Sequence, residues 1–214
     1  MLQPLPLSKA RIEALTDGIF AVTMTLLVLD LKFEDRVSGD PDRVVHDLLA
    51  LLPYIDDYVI SFVVLCVFWL AHLRLIRRVR EVDATFAWLN LVFLLFTTFL
   101  PPLTSWIGHR SEQPPAAIVY GANLILILGC ETLMWRHACR YLVNETVTDA
   151  DALWRSVRHR FFGAAAIIVA GILAALIEIQ YATNVGYASY VYLLLIGAGF
   201  VRTRIDTSRT QHES

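Results

Sequence analysis

Between Arg11 and Asp30 the sequence sets polar side chains inside an apolar run long enough to cross a membrane. The run opens Arg11-Ile-Glu-Ala-Leu-Thr-Asp17 and continues Gly18-Ile-Phe-Ala-Val22-Thr-Met-Thr25-Leu26-Leu-Val-Leu29-Asp30. Polar groups at membrane depth are costly and are kept for a pathway, a relay or a partner. On a helix Val22, Thr25, Leu26 and Leu29 follow i, i+3, i+4, i+7 and so share one stripe. Turned toward the axis of a symmetric oligomer, the stripe would stack rings of branched apolar side chains, a device that gates ion flow by dewetting. A ring of Thr25 hydroxyls among them would offer oxygens to a passing cation. The competing reading is ordinary helix packing, with threonine bonded to its own backbone four residues back. Asp30, at the outer end of the stripe, would concentrate cations at a mouth, or else pair with Lys32 in interfacial water.

A second polar group gathers at the opposite level. Asp17 lies about six residues into the first apolar span, His72 (with Trp69 one turn earlier) a few residues before the second ends, and Asn90 about six residues into the third. Spans 1 and 3 run outward and span 2 inward, so all four reach similar depth. A carboxylate, an imidazole, an indole N–H and an amide at one level can bond across helices. Three chemistries fit: a structural or gating knot, which is the preferred one, a proton relay, or a metal site. One carboxylate and one histidine are too few for a metal centre, and no metal or other cofactor is expected.

The elements that must hold these residues are membrane helices. The chain has 214 residues, 57% apolar and 18% charged, with a mean hydropathy of +0.56. Apolar stretches recur at about 12–32, 56–76, 84–106, 116–135, 161–181 and 184–203, each able to span a core of about 30 Å. Backbone polar groups cannot go unpaired in lipid, so the fold class is all-α, with six transmembrane helices. Of 18 basic residues, those flanking spans at 9–11, 74–80, 136–160 and 202–209 fall on one side. Only Lys32, Arg36, Arg43 and Arg110 fall on the other. The positive-inside rule then places both termini in the cytoplasm of a multi-pass protein of the cell membrane. The first span carries Asp17 and lacks a small-residue cleavage site, so it reads as a retained helix rather than a signal peptide.

Residues 1–205 read as a single six-helix domain and 206–214 as a polar cytoplasmic tail. Residues 33–44 read as a polar external loop, 44–55 as a helical extension of span 2 broken near Pro53, and Thr148 as the start of a short helix leading to span 5. Cys66, Cys130 and Cys139 show neither disulfide nor zinc spacing. Thr183-Asn-Val-Gly-Tyr-Ala188 echoes the potassium-filter sequence. It lacks the final glycine, though, and sits in a connection too short for a re-entrant loop, so it reads as a tight turn.

The Arg11–Asp17 run, together with Thr25-Leu-Leu-Val-Leu29-Asp30, resembles the first helix of the transmembrane-protein-175 family, potassium-permeable channels whose signature there is Arg, three residues, then Phe-Ser-Asp. Leu15 and Thr16 replace the Phe and Ser. Phe68-Trp69-Leu-Ala-His72, Trp88-Leu-Asn90-Leu91 and Phe99-Leu-Pro101-Pro-Leu-Thr104 are similar to the family's second and third helices. The resemblance implies a homotetramer of six-helix subunits without a re-entrant filter. Its pore would be lined by helix 1, constricted at Val22, Leu26 and Leu29 and potassium-selective at Thr25. It also implies that Arg11 and Asp17 bond to neighbouring polar groups, here Trp69, His72 and Asn90. Partners would then be lipid and further copies of the chain, with potassium as permeant and no nucleic acid.

Two function classes compete with a passive cation channel. A proton-coupled cation transporter would use Asp17 and His72 as a relay, but no pair of interrupted helices in corresponding halves supports it. An enzyme would need a motif such as His-Glu-x-x-His, Gly-x-Ser-x-Gly or a phosphate loop, and none occurs.

Overall fold

The computed structural model describes residues 8–29, 44–109, 114–141 and 147–181, all of them helices and their caps and connections. The helices are α1 (Lys9–Leu29), α2 (Val44–Arg78), α3 (Ala84–Thr98), α4 (Leu100–His109), α5 (Pro114–Tyr141) and α6 (Val147–Tyr181). Five stretches among the described residues are long and apolar enough to cross a membrane: Lys9–Leu29, Tyr58–Arg78, Ala84–Trp106, Pro115–Tyr141 and Asp151–Tyr181. The expected sixth span at 184–203, the 33–43 loop, the turn at 183–188 and the polar tail lie outside the described residues.

Local chemistry starts and bends these helices where the sequence allows. Ser8 caps α1 by accepting the Arg11 N–H on Oγ at 3.3 Å. Asp83 caps α3, its carboxylate accepting the Phe86 N–H at 2.8 Å. A cap of this kind satisfies a donor that the first helical turn cannot pair internally. Three expectations need correction. The third span is two helices rather than one, interrupted at Phe99. The cause is Pro101-Pro102, whose missing N–H groups break the ladder. The Phe99 N–H turns back to the Phe96 and Thr97 carbonyls instead, and Asn123 Nδ2 on α5 donates to Phe96 O at 3.1 Å. In contrast, α2 runs on through Pro53, because one lost backbone bond bends a helix without ending it. Thr148 lies not in a short separate helix but in the first turn of α6, which continues to Tyr181.

α1 packs against α2, α3 and α4, while α5 packs against α3 and most extensively against α6. The buried residues of α1 are Ile12, Thr16, Phe20, Thr23 and Leu27, a single stripe at three- and four-residue spacing. Phe20 meets Phe93 of α3 with ring centroids 5.9 Å apart, within the range of favourable aromatic pairs. At the other end of the bundle Thr104 Oγ1 donates to Ser61 Oγ at 2.8 Å, and Ser61 Oγ lies 3.2 Å from the Tyr120 hydroxyl. These buried hydroxyls tie α2, α4 and α5 together where the proline pair weakens the backbone.

Candidate functional site

Opposite the buried stripe, α1 keeps a face that stays largely exposed among the described residues. Val22, Leu26 and Leu29 lie on it with 54%, 44% and 70% of their surface exposed, and Thr25 is exposed among them. Their neighbour Leu27 is sealed at 1%. The four stripe residues are therefore one continuous apolar surface broken by a single hydroxyl. Thr25 Oγ1 donates to the Val22 carbonyl at 2.8 Å, a bond to its own helix of the kind the packing reading expects but three residues back rather than four. That bond uses the hydroxyl proton and leaves oxygen lone pairs free. Asp30 lies outside the described residues.

The polar group toward the N-terminal end of α1 divides into three parts. Asp17 Oδ1 accepts the Trp69 indole N–H of α2 at 2.9 Å. Asn90 of α3 bonds instead to Thr16, donating from Nδ2 to Oγ1 at 3.1 Å, with the reciprocal contact at 3.4 Å. Both residues of that pair are buried, so each supplies the other's polar partner in an apolar setting. His72 is 2% exposed and stacks on Phe93 with centroids 5.2 Å apart and planes 14° from parallel. Neither of its ring nitrogens has a hydrogen-bond partner among the described residues. Arg11 is exposed and outside these bonds, its backbone N–H resting on Ser8. A cavity of about 240 Å³, lined by Glu13, Thr16, Asp17, Trp69, His72 and Arg77 among others, runs between α1 and α2 at this level. No group of three or more metal-ligating side chains occurs among the described residues.

Three polar features were not singled out from the sequence. Thr16 enters the motif only as a substitution, yet it is the residue that holds Asn90. Glu131 of α5 is buried, its Oε1 without a hydrogen bond among the described residues, and the guanidinium groups acting on it are those of Arg160 and Arg74. A lone acid inside the apolar span 116–135 was the available signal. His137 Nε2 of α5 lies 2.8 Å from Asp83 Oδ2, a pairing across 54 residues that no local spacing reveals. Burial opposes ionisation of Asp83, but the Phe86 N–H and the His137 ring hold its carboxyl below the ordinary value.

Residues 11–101 match the family described as endosomal/lysosomal potassium channel TMEM175. A potassium channel of Streptomyces collinus is 33% identical over 157 residues, covering 71% of this chain and 74% of that protein. A potassium channel of Chryseobacterium sp. (strain P1-3) is 33% identical over 122 residues, with 56% of this chain matched to 59% of its length. The crystal structure of a lysosomal potassium-selective channel TMEM175 homolog from Chamaesiphon minutus superposes with a TM-score of 0.74 at 25% identity. It covers 91% of this chain and 97% of the other.

Proposed function

This chain belongs to the TMEM175 family, and on that premise we propose that it is a passive, potassium-permeable cation channel formed by four copies around α1. The observation that carries the reading is the open face of α1. Val22, Leu26 and Leu29 are exposed in the subunit while Thr23 and Leu27, on the opposite face, are buried. Four such faces around an axis would make successive apolar rings, and water withdraws from a narrow apolar constriction unless it widens. Thr25 supplies the polar layer between the rings, its lone pairs left open by the bond to Val22. Asp30 would stand at the outer mouth and raise local cation concentration.

In this reading the Asp17–Trp69 and Thr16–Asn90 bonds fix the inner end of α1 to α2 and α3, so that the rings keep their register. Arg11 belongs to the signature motif and would anchor that end at the inner membrane surface. The arginine-rich ends of α2, α5 and α6 face the cytoplasm under the positive-inside rule, with both termini on the same side in the cell membrane. The proton-coupled alternative rests on Asp17 and His72, which line one cavity. The test is potassium efflux from liposomes carrying the purified protein, compared with sodium efflux and with an imposed proton gradient. Potassium should run down its gradient without accumulation. Uphill, proton-driven accumulation would replace the channel with a transporter.

A further inference from the structure

The cavity between α1 and α2 holds more hydrogen-bonding capacity than the subunit uses. His72 reaches it from a position 2% exposed, with both ring nitrogens unpartnered among the described residues. A buried polar group left in that state forfeits a hydrogen bond for each nitrogen. Asp17 spends Oδ1 on Trp69 and keeps Oδ2. Glu13 lines the same space, and its ion partner among the described residues is Lys9 at 3.8 Å. The cavity therefore gathers two carboxylates and an imidazole whose ring nitrogens have no partner among the described residues.

We propose that this cavity is a binding site for a small primary amine, taken up as its ammonium ion. An ammonium group carries three N–H donors and no acceptor, which matches Asp17 Oδ2, Glu13 and the bare nitrogen of His72 one to one. At about 240 Å³ the space would hold about eight waters at ~30 Å³ each. It therefore admits a short alkyl chain beside the charge, against Leu73 and Ile76 of its wall. A bare alkali ion would leave most of the volume to solvent and, as a hard cation that prefers oxygen ligands, would gain little from the imidazole nitrogen. Asp17 and Glu13 set against Arg77 leave the lining one net negative charge, so a monoamine is neutralised there and a diamine is not. Access is from the N-terminal end of α1, where Glu13 and Arg77 reach the surface. The site stands whether or not α1 lines a pore.

Isothermal titration of the full-length, detergent-solubilised protein tests it. The probes are n-propylammonium and tetramethylammonium, which has the same charge and no N–H donor, at fixed ionic strength. Saturable binding of n-propylammonium, at least about tenfold tighter than tetramethylammonium, is expected, as for one charge-assisted hydrogen bond. His72→Phe keeps the aromatic stack on Phe93 and should weaken binding about tenfold, as should Glu13→Gln, on a partly exposed turn that tolerates substitution. Equal affinity for the two ions would overturn the proposal, and so would affinity that neither variant changes. Either result would leave the cavity to water. Ion flux is read in a separate assay, so loss of the amine site and loss of the channel reading are told apart.

Discussion

Leu26 and Leu27 are adjacent on α1 and differ by one helical step, yet their predicted behaviour diverges. Leu27 is 1% exposed and Leu26 44%. Leu27→Ala removes a side chain packed on all sides and leaves a cavity. Its cost should fall toward the lower end of about 2–5 kcal/mol, because in lipid the water-transfer part of that range is missing and the lost packing contacts remain. Leu26→Ala removes atoms that meet roughly half as many partners within the subunit, so its cost should be about 1 kcal/mol. Its effect on conduction should be the reverse. In the proposed tetramer, removing bulk from every copy of a ring at once should lower the dewetting barrier, and a drop of about 1.4 kcal/mol corresponds to about a tenfold faster flux. The assay pairs thermal unfolding in detergent with potassium efflux per assembled channel in liposomes. If Leu26→Ala leaves efflux unchanged in an intact assembly, or if Leu27→Ala produces the larger gain, the assignment of faces on α1 is refuted.

Thr25→Ala should lower potassium preference over sodium with little change in stability, since among the described residues the hydroxyl bonds to its own helix. The reversal potential under bi-ionic conditions checks it, and an unmoved value removes Thr25 from selectivity. Asp17→Ala should cost about 1–3 kcal/mol by stranding the Trp69 indole. In a double-mutant cycle with Trp69→Phe the two changes should be coupled by about 1 kcal/mol, whereas additivity would dissolve the pair. Asn90→Leu should cost a similar amount by leaving the buried Thr16 hydroxyl without its partner, read as a fall in unfolding temperature. Asp83→Ala should cost about 1 kcal/mol at neutral pH through loss of the α3 cap. Because the folded carboxyl titrates below its unfolded value, the stabilisation from its charge is complete above the unfolded value of about 4. It disappears as pH falls through the folded one. The gap between wild type and Asp83→Ala should therefore narrow in acid, and a gap that widens would contradict the sign.

The all-helical, multi-pass class was legible because it rests on run length and composition alone, which do not depend on the third dimension. The open face of α1 was legible for a related reason: the spacing of Val22, Leu26 and Leu29 marks a stripe whatever covers it. Spacing could not say which stripe faces the subunit, and only the burial of Phe20, Thr23 and Leu27 separates the two. Depth matching brought Asp17 and Trp69 to one level, and they are bonded. It also brought Asn90 there, but side-chain direction sends that amide to Thr16, one position away and about 100° around the helix. The break at Phe99 was written in Pro101-Pro102, but a hydropathy window averages across a kink without seeing it. Asp83–His137 depends on where α3 begins relative to α5, a tertiary register that no local pattern encodes.

The central claim is that the exposed face of α1 looks onto the ion path. Leu29→Cys, in a background with Cys66, Cys130 and Cys139 replaced, places a thiol at the most exposed point of that face. A membrane-impermeant, positively charged methanethiosulfonate applied during potassium efflux should modify Cys at position 29 and reduce the flux. Modification that leaves efflux unchanged, or a thiol that the reagent never reaches, would mean that this face meets lipid and that ions cross elsewhere.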